Sequence, residues 1–480
     1  MYHFNSAEKF SYLGEFWKPE EPDIKFSGRI EYSPNDGISV KFITSTSFSG
    51  EDVYPTLYGF CEEIEDITLI NCIPNGGKIY LGSHSYKTKI YKVIGIIVGI
   101  HISKDEKIFD GICFHFPEMN SFCRWRNDDY FTSDHKPIVD CRTKDNLNIK
   151  ITQGYRDTMD LSLVLNDATL EKICPHLIHY RKNIATNTEI SPEEQKIIDK
   201  EEENITITKP FYITTIKGNK SNIGNYLQIR YKIEKLFSIF FLKPIYSTFS
   251  KIFIGNKEYT LIENVKSLKD NKNIEYFPYI PVNISNVKDK FNDIYDIWNN
   301  ILPSDMLDVV IVDKFYNHAG SGYQQFSILL SIIGSWQIIH GSDKTYNSRY
   351  QKFLEENLPN NDILTDGSKI DDKIIRKGIK ERFYEILGFG KTWCDIACDL
   401  DNIRDCILHL DMKINNKKST NNIFAKYKNI IEKETSISNL CEILFIVLVK
   451  AIYSKLGIKL TDDEKNNLLR YVVSWTSYPN

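Results

Sequence analysis

Hydrophobic periodicity changes along the chain, and that change limits the fold more than any other feature. The first third carries short β-type runs at residues 26–32, 38–43, 67–72, 89–102, 109–116 and 147–152. Between the first two, Ser33-Pro34-Asn35-Asp36-Gly37 supplies turn chemistry, which predicts a hairpin. Gly76-Gly77 and Lys104-Asp105-Glu106 fall where further turns are expected. Long helical periodicity is absent from residues 1–165, so an antiparallel sheet or sandwich is predicted there.

Residues 166–287 read as a mixed α+β continuation of that region. Ser191-Pro192-Glu193-Glu194 has the proline and first-turn carboxylates of a helix start. The acidic run that follows it, to Glu203, fits an exposed helix or a linker. A strand is predicted over 205–215, a helix over 223–241, and a hairpin over 251–262 turning at Gly255-Asn256. From residue 288 the spacing becomes helical. Helices are expected at 293–302, 305–317, 322–340, 371–387, 393–409 and 438–456, and at 461–474 behind a Thr461/Glu464 capping box. The reading is therefore an α+β multidomain chain: β-rich 1–165, mixed 166–287 and an all-α bundle over 288–480. A length of 480 residues exceeds one ordinary core.

Composition narrows the function classes. A net charge of −4 argues against a globally basic nucleic-acid binder, so any RNA contact must be local. The ten cysteines are scattered singly and do not make a disulfide framework, so reduced thiols in a cytoplasmic location are expected. Residues 1–5 lack a signal-peptide pattern, and the apolar run 94–102 is too short to span a bilayer, so no membrane association is expected.

One constellation brings together phosphate binding and proton transfer: Arg404-Asp405-Cys406-Ile407-Leu408-His409. Asp405 and His409 are four apart and share a helix face, so the carboxylate can fix the imidazole tautomer. Arg404 and His409 are five apart, about 140° around a helix, so the long arginine side chain must close the gap. A guanidinium fits a phosphodiester and an imidazole moves protons near neutral pH, which together suit a metal-independent ribonuclease. Such a reaction needs two proton transfers and one histidine supplies one, so a symmetric dimer completing the site is expected. On spacing alone, a solvated surface pair of Arg404 and Asp405, with His409 an ordinary helix residue, is the favoured reading. Lys413, Lys417 and Lys418, followed by Lys426 and Lys428, are candidates for guiding RNA, or a solvated face. Cys394 and Cys398 lack further ligands and read as core, and Cys174, His176 and His179 have no second ligand pair. No cofactor or metal is called for.

The 400–410 segment resembles the R-x4–6-H helix of HEPN domains, which are all-α ribonuclease or nucleotide-binding bundles. A second resemblance lies at the other end. Gly14-Glu15-Phe16-Trp17-Lys18-Pro19-Glu20, Phe26-Ser27-Gly28-Arg29-Ile30, and residues 109–125, ending Phe122-Cys123-Arg124-Trp125, are similar to the ApeA N-terminal domain. The order of parts is that of ApeA-like proteins. The resemblance implies an anti-phage protein acting by abortive infection. Its HEPN domain would be an endoribonuclease, regulated by the N-terminal domain and released by a phage-derived trigger. Arg404 and His409 would be the catalytic pair and Asp405 their support. The glutamate that relatives often carry in the first long HEPN helix has no counterpart in Ile333-Gly334-Ser335-Trp336-Gln337. A non-catalytic reading, in which the bundle only binds RNA or a nucleotide and the N-terminal domain is the recognition module, stays open beside it.

Overall fold

A computed structural model of the chain describes residues 9–33, 36–44, 53–80, 86–123, 137–153, 157–160, 175, 191–209, 212–264, 282–301, 322–340, 346–357, 383, 386–388, 392–408 and 418–460. The first six strands are β1 (Phe10–Trp17), β2 (Phe26–Ser33), β3 (Gly37–Thr44), β4 (Tyr54–Cys61), β5 (Glu65–Tyr80) and β6 (Tyr86–Val98). They pair in the order β3-β2-β1-β4-β5-β6, and β6 returns to β3, closing a barrel. Alternation explains why it closes around a dry interior. Phe26, Ile30 and Tyr32 on β2 and Ile38, Val40 and Phe42 on β3 point inward, while Arg29, Glu31 and Lys41 face solvent. Phe16, Leu57, Ile67, Leu69, Tyr91 and Val93 complete that core.

The remaining strands are β7 (Phe109–His115), β8 (Val139–Arg142), β9 (Asn148–Gln153), β10 (Asp157–Asp160), β11 (Thr206–Lys209), β12 (Tyr212–Ser221), β13 (Phe249–Ile254) and β14 (Lys257–Glu263). All but the β10–β11 pair extend the barrel sheet in the order β6-β14-β13-β7-β12-β9-β8. The two parts diverge on β6. Its residues 87–93 pair with β3 and its residues 95–98 with β14. Asn264 sits in that fork. Its Oδ1 accepts from the Ile38 amide at 2.5 Å and its Nδ2 donates to the Val93 carbonyl at 2.6 Å. Gly37 is left-handed there (φ 77°), and a Cβ on it would lie 2.4 Å from Asn264 Oδ1.

Helices cover the extended sheet and dominate the C-terminal part: α1 (Glu118–Cys123), α2 (Pro192–Ile205), α3 (Ile223–Phe241), α4 (Ile284–Val287), α5 (Phe291–Trp298), α6 (Gly322–His340), α7 (Tyr346–Asn357), α8 (Trp393–Leu408), α9 (Lys418–Ile431) and α10 (Glu434–Lys455). Asn222 caps α3 by accepting from the Asn225 amide at 3.0 Å. The buried face of α3 gives Phe237, Phe240 and Phe241 to an aromatic cluster with Phe116 and Phe122. Tyr453 of α10 donates to the Ile239 carbonyl at 2.7 Å, tying the bundle to this helix. One continuous apolar core thus runs from β7 and β13 through α3 into α6, α8 and α10. α10 is long and apolar enough to cross a membrane, yet 67% of its apolar window is buried inside the fold, as befits a central core helix.

The α+β fold class agrees with the sequence reading, and its β part is a closed barrel with extra strands rather than a plain sheet or sandwich. The predicted hairpins at 26–43 and 251–262 and the helix at 223–241 form as expected. The helix start predicted at Ser191-Pro192 forms as α2, and Ser191 caps it, its Oγ accepting from the Glu194 amide at 3.2 Å. Gly76-Gly77 make no turn. They lie inside β5 at a register shift between Pro74 and Gly77, where Gly76 takes φ 109° and the strand continues as a bulge. The expected strand 205–215 is two strands, β11 and β12, in different sheets. Cys394 is exposed and Cys398 half-buried, which corrects their core reading, because they lie off the α8 face that packs. The expected helices 305–317 and 461–474, most of 371–387, and the Cys174/His176/His179 group lie outside the described residues.

Candidate active site

The site builds on α8. Thr392 and Asp395 cap its start reciprocally: the Thr392 amide donates to Asp395 at 2.9 Å and the Asp395 amide to Thr392 Oγ1 at 3.2 Å. Ile396, Leu400 and Ile403, at helical spacing, bury one face against the bundle core. Arg404 comes next to that face, in the last turns of the helix. Its side chain is only 13% exposed.

The guanidinium is held from three sides. Nη1 donates to Tyr350 Oη of α7 at 2.7 Å, and its Cζ lies 6.0 Å from the Tyr350 ring centroid. Nη2 donates to Asp405 Oδ1 at 2.9 Å and stands 2.8 Å from Asp401 Oδ1, one turn back on α8. Burial disfavours the guanidinium charge. The hydrogen bond to Asp405 and the nearby Tyr350, Asp401 and Asp405 outweigh it, so the Arg404 pKa lies above its ordinary value. Asp401 is 19% exposed, and burial pushes its carboxyl above the usual range; Arg404 pulls it back and the charge of Asp405 adds to the rise. Asp405 is 54% exposed and reaches solvent.

His409 follows Leu408, the last described residue of α8, and lies outside the described residues, as do Lys413 and Lys417. Lys418 opens α9. Lys426 donates to the buried Asp399 at 3.2 Å, and Tyr427 donates to the same carboxylate, so this pair fastens α9 to α8. Lys428 is exposed beside Glu432 at 3.7 Å. Gln337 on α6 is buried and donates to Glu356 of α7 at 3.1 Å. Thus α7 brings both a tyrosine and a carboxylate to its two neighbouring helices.

Chemically, the arrangement is a fixed cation with two carboxylates on one of its nitrogens. A guanidinium fixed in this way can take a phosphate once a carboxylate yields, and the exposed Asp405 is the one positioned to yield. Among the described residues no group of three His, Cys, Asp or Glu is arranged to hold a metal. Sequence reasoning missed Tyr350 and Asp401. Asp401 was within reach, since i, i+3 places it beside Arg404. Tyr350 stands 54 positions away on another helix, and only the packing of α7 on α8 reveals it.

Residues 11–302 match a family model described as ApeA N-terminal domain 1. No curated protein and no solved structure matches the chain.

Proposed function

The chain belongs to the ApeA N-terminal domain 1 family and is an ApeA-like anti-phage defence protein; from that premise we propose that its C-terminal helices are a HEPN-type, metal-independent endoribonuclease regulated by the N-terminal domain. The observation that carries the reading is the fixing of Arg404, five residues before His409, by Tyr350 from a neighbouring helix. An arginine on a solvated surface has no need of a buried tyrosine to hold it.

In this mechanism an RNA phosphate displaces Asp405 and takes two N–H bonds from Arg404. Asp405, released, turns to His409 four residues on and holds its imidazole. A histidine removes the proton from the ribose 2′-OH. The oxygen attacks the adjacent phosphorus, and Arg404 stabilises the charge that gathers on the phosphoryl oxygens. The 5′-oxygen leaves with a proton from a second histidine, and a 2′,3′-cyclic phosphate remains. That second histidine is His409 of another copy, so the working form is a dimer. The N-terminal barrel and sheet hold the site quiet until a phage-derived trigger arrives, and the outcome for the cell is abortive infection.

Phage challenge of cells carrying the wild-type chain, Arg404→Ala or His409→Ala tests the proposal. The expected result is protection by the wild type and none by either variant, at equal protein levels. Full protection by both variants would leave the N-terminal region as the working part, with the bundle as a binding module only.

A further inference from the structure

Outside the bundle, the strongest unassigned feature is a cationic face on the barrel. The whole chain is net acidic at −4, yet residues 73–94 contain no Asp or Glu, and Lys92 stands on the exposed side of β6. Strand register places further cations beside this stretch. Arg29 of β2 stands directly opposite Lys41 of β3, and Lys41 stands opposite Ile90 of β6, two residues before Lys92. Arg29, Lys41 and Lys92 are all exposed. None of the three has an ion-pair partner among the described residues.

Neighbouring strands lie about 4.8 Å apart and diagonal neighbours about 7–8 Å, so the three charges share one small face. Two like charges directly opposite each other across strands repel, and the barrel gains nothing from them. The carboxylates of this face do not cancel the charge. Glu15 is paired with Lys25 at 3.1 Å, which leaves Glu31 beside Arg29. Exposed apolar side chains adjoin the cations: Leu13, opposite Arg29 on β1, and Ile43, two residues beyond Lys41. Cations beside apolar surface suit a flexible polyanion whose bases can lie against protein.

We propose that this barrel face, centred on Arg29, Lys41 and Lys92, is a docking site for an RNA strand. The choice of RNA rests on the proposed ribonuclease activity, and the complementarity to phosphodiester charge rests on the barrel alone. The face gives the N-terminal domain a task of its own, holding the RNA whose cleavage the bundle performs.

The test is fluorescence anisotropy of a short labelled single-stranded RNA against full-length Arg404→Ala protein in EDTA, with and without Lys41→Glu and Lys92→Glu. The expected result is at least a ~10-fold loss of affinity, and a salt dependence of log K shallower by about 0.7 for each phosphate that the reversed side chains cease to neutralise. Lys41→Gln with Lys92→Gln, checked for an unchanged melting temperature, should show a smaller loss in the same direction. Unchanged affinity and salt slope in the charge-reversed protein would overturn the proposal. So would tighter binding of the unreversed protein to duplex DNA or to anionic phosphatidylserine vesicles than to RNA. Failure of the catalytic reading looks different: protein with Arg404 intact would leave the RNA uncut in EDTA, visible on a gel, whatever the barrel variants do.

Discussion

At the scale of single residues, the site depends on how Arg404 is held. Tyr350 is almost fully buried, and its hydroxyl accepts from a guanidinium nitrogen at 2.7 Å. Tyr350→Phe keeps the packing and removes that acceptor. A hydrogen bond to a charged group contributes about 1.5–3 kcal/mol, so the variant should melt at a lower temperature and cleave roughly tenfold more slowly or worse. Equal kcat in the variant would show that Tyr350 does not position the arginine. Asp401 makes a prediction of opposite character. Its carboxyl is raised above the usual range by burial, with Arg404 opposing and Asp405 adding. Its folded pKa therefore exceeds its unfolded one, and the native state keeps a proton that the unfolded chain has already released. This favours folding at low pH and is lost as pH rises from the unfolded through the folded pKa. Asp401→Asn removes the titrating group, so its melting temperature should vary less with pH across the mildly acidic range than that of the wild type. A steeper dependence in the variant would contradict the assignment.

At the scale of elements, the fork on β6 and the pinning of α9 carry the architecture. Asn264 satisfies one donor from β3 and one acceptor on β6 where the barrel and the extended sheet diverge. Asn264→Ala leaves both groups without that partner, and an unsatisfied buried group costs about 1–3 kcal/mol. Thermal or urea unfolding should register a loss of that size, and a change within error would mean the fork holds itself. Hairpins and long amphipathic helices were legible because their signals are local: turn residues between alternating runs, or an apolar stripe such as Ile396, Leu400 and Ile403 on α8. Barrel closure was not, because β3 meets β6 about fifty residues later in sequence and nothing local announces that register. α7 and α9 escaped for a different reason. Among their described side chains each buries only a few, Tyr350, Phe353 and Leu354 on one and Tyr427 and Ile431 on the other, among polar neighbours. Gly76-Gly77 carried a true signal of altered backbone but an ambiguous one, since a bulge and a turn both need glycine. The candidate site was half legible, with Arg404 and its helix given by pattern and Tyr350 by packing alone.

At the scale of the whole molecule, the bundle and the extended sheet share one core. Ile239 of α3 accepts from Tyr453 of α10, and Lys290 donates to the Gly457 carbonyl. Cutting the chain between 287 and 288 would expose the apolar face that α3 shares with the bundle. A 288–480 fragment expressed alone should therefore lack a cooperative melting transition, whereas a sharp transition would show the bundle to be independent. The same continuity offers a physical route from barrel to site, since α3 touches both the sheet and α10. The proposed activity is cleavage of RNA through Arg404 and His409 without a metal. The most direct measurement is single-turnover cleavage of a defined RNA by purified protein in excess EDTA, with the product ends identified. Wild-type protein should leave 2′,3′-cyclic phosphates, with Arg404→Ala and His409→Ala slower by roughly 10²–10⁴-fold. Cleavage by either variant at the wild-type rate, or its abolition in wild type by EDTA, would contradict it.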